Sequence, residues 1–397
     1  MPIEICTPTD EAWPAICRFD ARSFGNSLTE TEIESLRNVH DMRRFRVAYV
    51  EREIVAVAGS YAMEVTLPGG ASVPMGGVTW VATAATHRRQ GLMSRVVGAV
   101  HDDIDRRGEP VASLFASEGS IYERIGYGVS TQIRVTSIDA RAARLRSEFT
   151  QPTGSVTFLD EQDAAPALAE IWDRFRRQRA GETARTVADQ QFRIDRRSPP
   201  ERGQSPAIYL VHADGYAAYR MEQRWNDGHP AHRLHLLEIA TSTLDAHAAL
   251  WQTLLSIDLV GTITAQCLPL DDPLAYLLQN PRVLRTTELN DGVWVNVRDI
   301  RTAFSARSYR TAERIVIESD GRRWAIEGGP DGGSCTSVRT KPDLVTTHAG
   351  LSSLLYGGML PSTLSAGRRM TGRGSDVVAR ADVFFTTSLL PHCQDRY

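Results

Sequence analysis

The sequence predicts a mixed α/β chain built in three parts. The strand-like run Val78-Thr79-Trp80-Val81-Ala82-Thr83 leads through a basic turn into a helical run and then into a second strand, Pro110-Val111-Ala112-Ser113-Leu114-Phe115. Strand, helix and strand at that spacing form a βαβ unit with parallel strands. A similar order of strands, helix and strand recurs between residues 207 and 264, and short alternating runs follow it. At 397 residues the chain exceeds what a single core supports, so two or three domains are expected.

The elements follow from local pattern. Asp10 to Phe24 and Glu30 to Asn38 are helix candidates. Arg46 to Val50 and Ile54 to Ala58 are β-branched alternating runs joined by the polar Glu51-Arg52-Glu53, which predicts a hairpin. After the βαβ unit, the polar stretch Thr150-Gln151-Pro152-Thr153-Gly154 opens a second part. It holds a helix over Ala164 to Gln178, a Pro-rich charged loop at 198–203, and strands over Ala207 to Val211, Tyr216 to Met221 and Leu234 to Ile239. A helix over Asp245 to Ile257 and a strand near Thr262 to Thr264 complete it. The third part has short strands at Val293 to Val297, Arg314 to Ile317 and Trp324 to Ile326, then a helix over Leu351 to Tyr356, and reads as a small α+β module. The expected domains are 1–146, 147–288 and 289–397.

Composition narrows the function classes. The chain is 42% hydrophobic and 23% charged, as globular proteins are, and its net charge of -3 gives no reason to expect a nucleic-acid partner. No apolar run approaches the roughly 20 residues of a membrane helix. The N-terminal Met1-Pro2-Ile3-Glu4-Ile5-Cys6 lacks a basic segment before an apolar stretch, so no signal peptide is expected and the expected location is cytoplasmic. The five cysteines lie far apart and make no Cys-x-x-Cys pair, which indicates neither a disulfide framework nor a zinc site. Lys341 is the only lysine, so nearly all the basic residues are arginines.

The most informative segment is Arg88-Arg89-Gln90-Gly91-Leu92-Met93. It sits where a strand turns into a helix. The first N–H groups of a helix lack intrahelical partners, and the dipole adds partial positive charge there. With a glycine to admit close backbone approach, such a turn suits a pyrophosphate. Leu92, Met93, Val96, Val97, Val100 and Ile104 then recur near helical spacing.

Downstream lies Ser117-Glu118-Gly119-Ser120-Ile121-Tyr122-Glu123-Arg124-Ile125-Gly126-Tyr127-Gly128. A tyrosine followed at this spacing by a Gly-aromatic pair, after such a βαβ unit, resembles the acetyltransferases of the GNAT superfamily. The turn resembles that superfamily's Arg/Gln-x-x-Gly-x-small pattern, with Met93 in place of the usual Gly or Ala. Ala85 through Leu92, Ala116-Ser117-Glu118-Gly119 and Ile121 through Gly128 resemble the Eis (enhanced intracellular survival) family of N-acetyltransferases more narrowly.

The resemblance implies two tandem GNAT-like domains, the second degenerate, followed by a sterol-carrier-like α+β domain. It implies acetyl-CoA as cosubstrate, no metal, a primary-amine acceptor such as an aminoglycoside, direct transfer in a ternary complex, and a homohexamer. Residue by residue it places Val81, Ala82 and Thr83 on the pantetheine and acetyl group. Arg88, Arg89, Gln90, Gly91, Leu92, Met93 and Ser94 fall on the pyrophosphate, and Ser117 and Glu118 near the pantetheine arm. Phe24, Asn26 and Trp80 fall on the amine side. Tyr122 becomes the proton donor to the leaving thiolate. The C-terminal carboxylate of Tyr397 becomes the proton acceptor. An α-carboxyl ionises near 3.3–3.7, about 6 units below an alkylamine, so it would orient the ammonium and relay its proton through water. The family's amine pocket is typically acidic, yet Gly25 and Asn26 follow Phe24 here and Arg396 precedes the last residue. Asp20, Glu30, Glu32 and Asp395 are the acids available to compensate.

Other readings are weaker. A lipid- or protein-binding scaffold on the same fold, or a protein lysine acetyltransferase, are the rival functions. His229, His232 and His235 would share a face only on a helix, which Pro230 opposes. The run Arg174 to Arg179 reads as a solvated helix face. The turn before the second part's helix, Ala240-Thr241-Ser242-Thr243, has neither the arginine pair nor the glycine of the first.

Overall fold

The computed structural model describes residues 3–37, 39–198, 203–374 and 376–397. Its first six strands are β1 (Glu4–Cys6), β2 (Arg46–Val50), β3 (Glu53–Thr66), β4 (Ser72–Thr83), β5 (Val111–Phe115) and β6 (Gly128–Val129). A second set follows: β7 (Gln132–Asp139), β8 (Thr157–Leu159), β9 (Ile208–His212), β10 (Gly215–Glu222), a small hairpin of β11 (Trp225–Asn226) and β12 (His229–Pro230), β13 (His232–Thr241), β14 (Val260–Leu268) and β15 (Leu284–Asp291). The remaining strands are β16 (Val293–Val297), β17 (Glu313–Ser319), β18 (Arg322–Gly329), β19 (Gly332–Ser337), β20 (Leu344–Thr346) and β21 (Met370–Gly372).

Three main sheets result, with strand orders β1-β2-β3-β4-β5-β16-β6, β15-β7-β14-β13-β10-β9-β8 and β19-β18-β17-β20-β21. These sheets correct the linear partition at 146/147 and 288/289. β7, expected in the first part, pairs antiparallel with β14 and β15 in the second sheet. β16, expected in the third, inserts between β5 and β6 of the first. Each of the first two sheets therefore contains a strand from beyond its own stretch of sequence.

The helices of the first part are α1 (Trp13–Ser23), α2 (Glu30–Arg37), α3 (Leu92–Arg106) and α4 (Gly119–Glu123). Leu92, Val96, Val97, Val100 and Ile104 form the buried face of α3, as their spacing predicts, and pack with Ala58, Val78 and Leu114 of the first sheet. The first sheet also shares a core with the third module, where Val65, Met75, Val111 and Val295 join Phe304, Ile315, Phe384 and Phe385. In the second part α5 (Glu161–Arg176), α6 (Val187–Arg197) and α7 (Leu244–Leu255) cover the sheet. β13, α7 and β14 repeat the βαβ order, with β13 and β14 parallel.

Two further expectations change. The helix expected over Leu351 to Tyr356 lies at His348–Ser353, because Thr347 caps it by accepting from the Gly350 N–H. The Arg174 to Arg179 run is not one solvated face: Arg176 and Arg179 are buried, paired with Asp173 and Asp271. Positions 199–202 of the Pro-rich loop lie outside the described residues. Among the described residues no helix is long and apolar enough to cross a membrane.

Candidate active site

Parallel strands give way to a wedge where their hydrogen bonding stops. β4 pairs with β5 only through Met75, Gly76 and Gly77, opposite Val111, Ala112 and Ser113. Beyond that point β4 continues to Thr83 without pairing to β5, whose outer edge is paired along its whole length with β16. On its other side β4 carries a bulge: Val57 faces Ala82 and Gly59 faces Thr79, so Trp80 and Val81 together oppose Ala58. Trp80 adopts φ of +54°, sterically disfavoured for a bulky side chain. A bulge leaves a backbone group outside the ladder and re-aims the side chain. Here it accompanies the packing of Trp80 on Trp13 of α1.

The basic turn lies at the end of β4. Arg89 and Gly91 both have left-handed backbone, φ of +61° and +72°. Left-handed residues within a tight turn aim successive N–H groups into a concavity that suits an anion. Gly91 is the N-cap of α3, and no side chain caps that helix. Space is open around Gly91 where a side chain would stand. Arg88, Arg89, Gln90 and Ser94 are exposed, whereas Ala82 and Leu92 turn their side chains into the core and offer only backbone to a ligand. The Thr83 hydroxyl is buried without a hydrogen-bond partner. An uncapped helix N-terminus, an orphaned hydroxyl and an open wedge fit a pantetheine pyrophosphate.

Tyr122 is buried on α4, just past Phe115, and its ring meets Tyr127 edge-on at 5.9 Å. Burial pushes its phenol above the ordinary value, against a smaller opposing effect of Ser117. The group is thus held protonated. Tyr127 is locked from behind, its hydroxyl 2.7 Å from His101 Nε2. Ser117 and Glu118 are exposed on the connecting loop.

The last residue reaches the same two strands, β4 and β5. The Tyr397 hydroxyl lies 2.6 Å from Ser113 Oγ, its ring meets Phe115 at 5.3 Å, and a Cβ at Gly77 would stand 3.2 Å from that ring. The terminal aromatic therefore rests where the strands part. Behind it the tail is anchored to the second part. Asp395 accepts from Arg185 at 2.7 Å, pairs with Arg193 and accepts from the Thr183 hydroxyl. Gln394 exchanges hydrogen bonds with the Ile239 backbone, and His392 pairs with Glu182 at 2.8 Å. Arg396 is exposed.

On the far side of Trp80 lies an aromatic cluster that the motifs did not single out. Trp80 packs against Trp13 at 5.2 Å and His40 at 5.0 Å, and the Tyr61 hydroxyl lies 2.8 Å from His40 Nε2. Burial lowers His40 to about 4, so its ring is neutral. Phe24 and Asn26 stand apart from this cluster in an exposed helix-ending turn, closed by Asn26 N–H to the Ala21 carbonyl with Gly25 left-handed. Of the four acids considered from sequence, Glu30 pairs with Arg18, Glu32 caps α2 with Thr29, and Asp395 is committed to arginines. Asp20 has a buried oxygen with no partner.

Residues 4–130 match the model of an acetyltransferase (GNAT) domain, and residues 181–301 match a second acetyltransferase (GNAT) domain model. Over 403 residues the chain is 30% identical to the N-acetyltransferase Eis of Mycobacterium tuberculosis, covering 98% of each. The chain belongs to the Eis family of N-acetyltransferases. Eis1 of Mycobacterium abscessus superposes with a TM-score of 0.86 at 26% identity, covering 100% of both chains. A GCN5-related N-acetyltransferase from Anabaena variabilis shares the fold at a TM-score of 0.85 and 16% identity. GNAT enzymes of this family use acetyl-CoA as donor, which agrees with the wedge and the uncapped α3. The second GNAT unit has no equivalent cradle at its βαβ turn. There Thr243 caps α7 with its own side chain, accepting from the Ala246 N–H. An open cavity of about 1270 Å³ does lie on that sheet, lined by Arg141, Arg233, Arg282 and Arg285, but it belongs to β7, β13, β14 and β15 rather than to the wedge. His235 pairs with Glu222, and the histidines at 229, 232 and 235 sit on strands, not on one helical face.

Proposed function

We propose that this Eis-family enzyme transfers acetyl from acetyl-CoA directly to a primary amine bound beside Trp80. What supports the reading is the buried phenol of Tyr122, held protonated just past the end of β5, and the anchored Tyr397, whose hydroxyl meets Ser113 of that strand. Arg88 to Ser94 hold the pyrophosphate through turn and helix N–H groups, Val81 to Thr83 hold the pantetheine and acetyl group, and Ser117 and Glu118 flank its arm. The amine attacks the thioester carbonyl, whose growing negative charge is stabilised by backbone N–H groups of the bulged β4. The C–S bond breaks, and Tyr122 gives its proton to the departing sulfur. The Tyr397 carboxylate orients the incoming ammonium and takes its proton through water. No covalent acyl-enzyme is involved, since no cysteine occupies the motifs. We further infer a sterol-carrier-like third domain, a cytoplasmic homohexamer, and Phe24 and Asn26 at the pocket mouth, where aminoglycosides would be accepted.

The test is release of CoA thiol from acetyl-CoA by protein with a free C-terminus, against aminoglycosides, polyamines, monoamines and lysine peptides. Release with small amines supports the reading. Release with peptides alone would replace it with protein acetylation, and tight acetyl-CoA binding with no release across the panel would overturn it.

A further inference from the structure

The open cavity on the second sheet, about 1270 Å³ in volume, stands on one face of β7, β13, β14 and β15. Side chains alternate across a sheet. Ile138, Leu234 and Ile263 turn into the core beneath α7. Their neighbours Asp139, Thr262 and Arg233 lie side by side on the opposite face, and Arg285 faces Ser137 on the next strand out. α5 and α6 cover that face at Tyr216, Ala218 and Ala240, but β15 is exposed at seven of its eight residues.

Among the described residues the cavity is lined by five arginines, Arg141, Arg224, Arg233, Arg282 and Arg285, and by a single carboxylate, Asp139. That carboxylate is engaged in its own turn, accepting from the Arg141 and Ala142 N–H groups at 3.2 and 3.3 Å. Glu222 nearby lies 2.7 Å from Arg224 and 3.1 Å from His235, but 3.9 Å from Arg233. Arg233 Nε is buried and has no hydrogen-bond partner. Arg141 donates to the Pro230 carbonyl, and among the described residues the guanidinium groups of Arg282 and Arg285 meet no carboxylate.

Like charges gathered in one concavity repel each other, and an unsatisfied buried donor is costly. The chain as a whole carries a net charge of -3, so this cluster departs from the average surface. A guanidinium presents a planar fork of donors that fits phosphate oxygens two at a time. Several such forks around one space suit an anion with more than one phosphate. Single-stranded nucleic acid is usually held by aromatic stacking as well, and no aromatic side chain lines the cavity. A second copy docked here about a two-fold axis would set the arginines against themselves. The site also lies away from any donor cradle. Arg233 is near the start of β13, whereas the turn into α7 follows Thr241 at its other end.

We propose that this cavity binds a small polyphosphate anion, free or carried by a nucleotide, at a site separate from that of acetyl-CoA. The inference goes beyond the acetyl-transfer reading and does not depend on it.

The test is calorimetry with inorganic tripolyphosphate, ATP and a short single-stranded oligonucleotide, each with acetyl-CoA at saturation. The proteins are wild type, Arg282→Gln/Arg285→Gln, and Arg339→Gln as a charge-matched control outside the cavity. All three arginines are exposed, so the variants should fold. Losing charge-assisted contacts at both cavity positions corresponds to a Kd for tripolyphosphate raised by roughly tenfold to a hundredfold. The expected result is that rise in the double variant and none in Arg339→Gln. KM for acetyl-CoA should be unchanged, and the unfolding midpoint equal or higher because repulsion is relieved. Equal affinities for ATP and tripolyphosphate would support recognition of phosphate alone, and tighter ATP binding would support a nucleotide source. No binding to wild type, or unchanged binding by the double variant, would overturn the proposal. An equal loss in Arg339→Gln would reduce the effect to net charge and overturn it too. Tighter binding of the oligonucleotide than of both small probes would replace it with a nucleic-acid site.

Discussion

Replacing Asp395 with asparagine probes how firmly the tail is held. Asp395, Arg185 and Glu238 are all 2% exposed or less. Arg185 donates to Asp395 at 2.7 and 3.0 Å and to Glu238 at 2.5 Å, Arg197 donates to Glu238 at 2.7 Å, and Arg193 also pairs with Asp395. Burial opposes the charge on Asp395, but Arg185 and Arg193 outweigh it and hold its carboxyl below the ordinary range. Three guanidinium groups thus share two carboxylates. The amide side chain would keep the shape and lose the charge, leaving three buried or half-buried cations around Glu238 alone. Breaking a buried pair from one side costs about 3–5 kcal/mol, because the abandoned charge stays desolvated. That is a large part of the roughly 5–15 kcal/mol by which domains are typically stable. The assay is parallel denaturant unfolding of wild type and Asp395→Asn, with turnover measured on the folded variant. The expected result is a lowered first transition and reduced turnover, because the residue two positions before Tyr397 is released. A loss under about 1 kcal/mol would refute the reasoning and show that the Gln394 and His392 contacts alone seat the tail.

Three other outcomes are expected. Tyr122→Phe should lower kcat by about 10²–10⁴ with acetyl-CoA affinity retained, and a loss under about threefold would remove the phenol from proton transfer. A C-terminal extension, or deletion of Tyr397, should cut turnover heavily while acetyl-CoA still binds in a direct binding assay; full activity in both would dismiss the terminal carboxylate. Stability should respond to pH with two opposite slopes. His101 and His40 are lowered by burial to about 3 and about 4, so the unfolded chain takes up protons first and stability falls as pH drops below about 6.5. Asp20 is raised to about 6, so between about 4 and 6 the folded chain binds the extra proton and this contribution falls as pH rises. The midpoint difference between Asp20→Asn and wild type should therefore grow from pH 4 to 7; a difference independent of pH would contradict it.

Local pattern carried much of this fold. The α3 stripe and the β4–α3–β5 unit were legible because a helical period and a short basic turn are encoded within some forty consecutive residues. The helix α6 was not, although Thr186 and Asp189 form a capping box at its start. Its apolar stripe is thin, only Gln190 and Ile194 being buried, so periodicity gave little signal. The exchange of β7 and β16 was hidden for a deeper reason. Both alternate as ordinary strands, and nothing in their own residues says which sheet they join; partner choice is a property of the assembled cores. The site divides in the same way. The pyrophosphate turn and Tyr122 lie in contiguous motifs. The partners of Tyr397 and Asp395 are distant in sequence, with Ser113 and Arg185 separated from them by 284 and 210 positions. Asp20 did leave a signal, since its spacing from Trp13, Ile16 and Cys17 on a helix candidate is enough to mark it as inward-facing.

The inserted strand β16 also sets a schedule for synthesis. Among the described residues β6 pairs only with β16, and β5 has β16 on its outer side. When the ribosome has delivered residue 130, the first sheet holds an open edge and an unpaired strand. It stays that way until Val297 emerges, 167 residues later by subtraction of the two positions. At about 5–20 residues per second that interval is on the order of 10–30 s. During it, a sheet edge that will finally be internal is available to any neighbouring chain. Production of this enzyme should accordingly depend on nascent-chain chaperones, and a translational pause between codons 130 and 297 should aggregate it more than the same pause placed after β16.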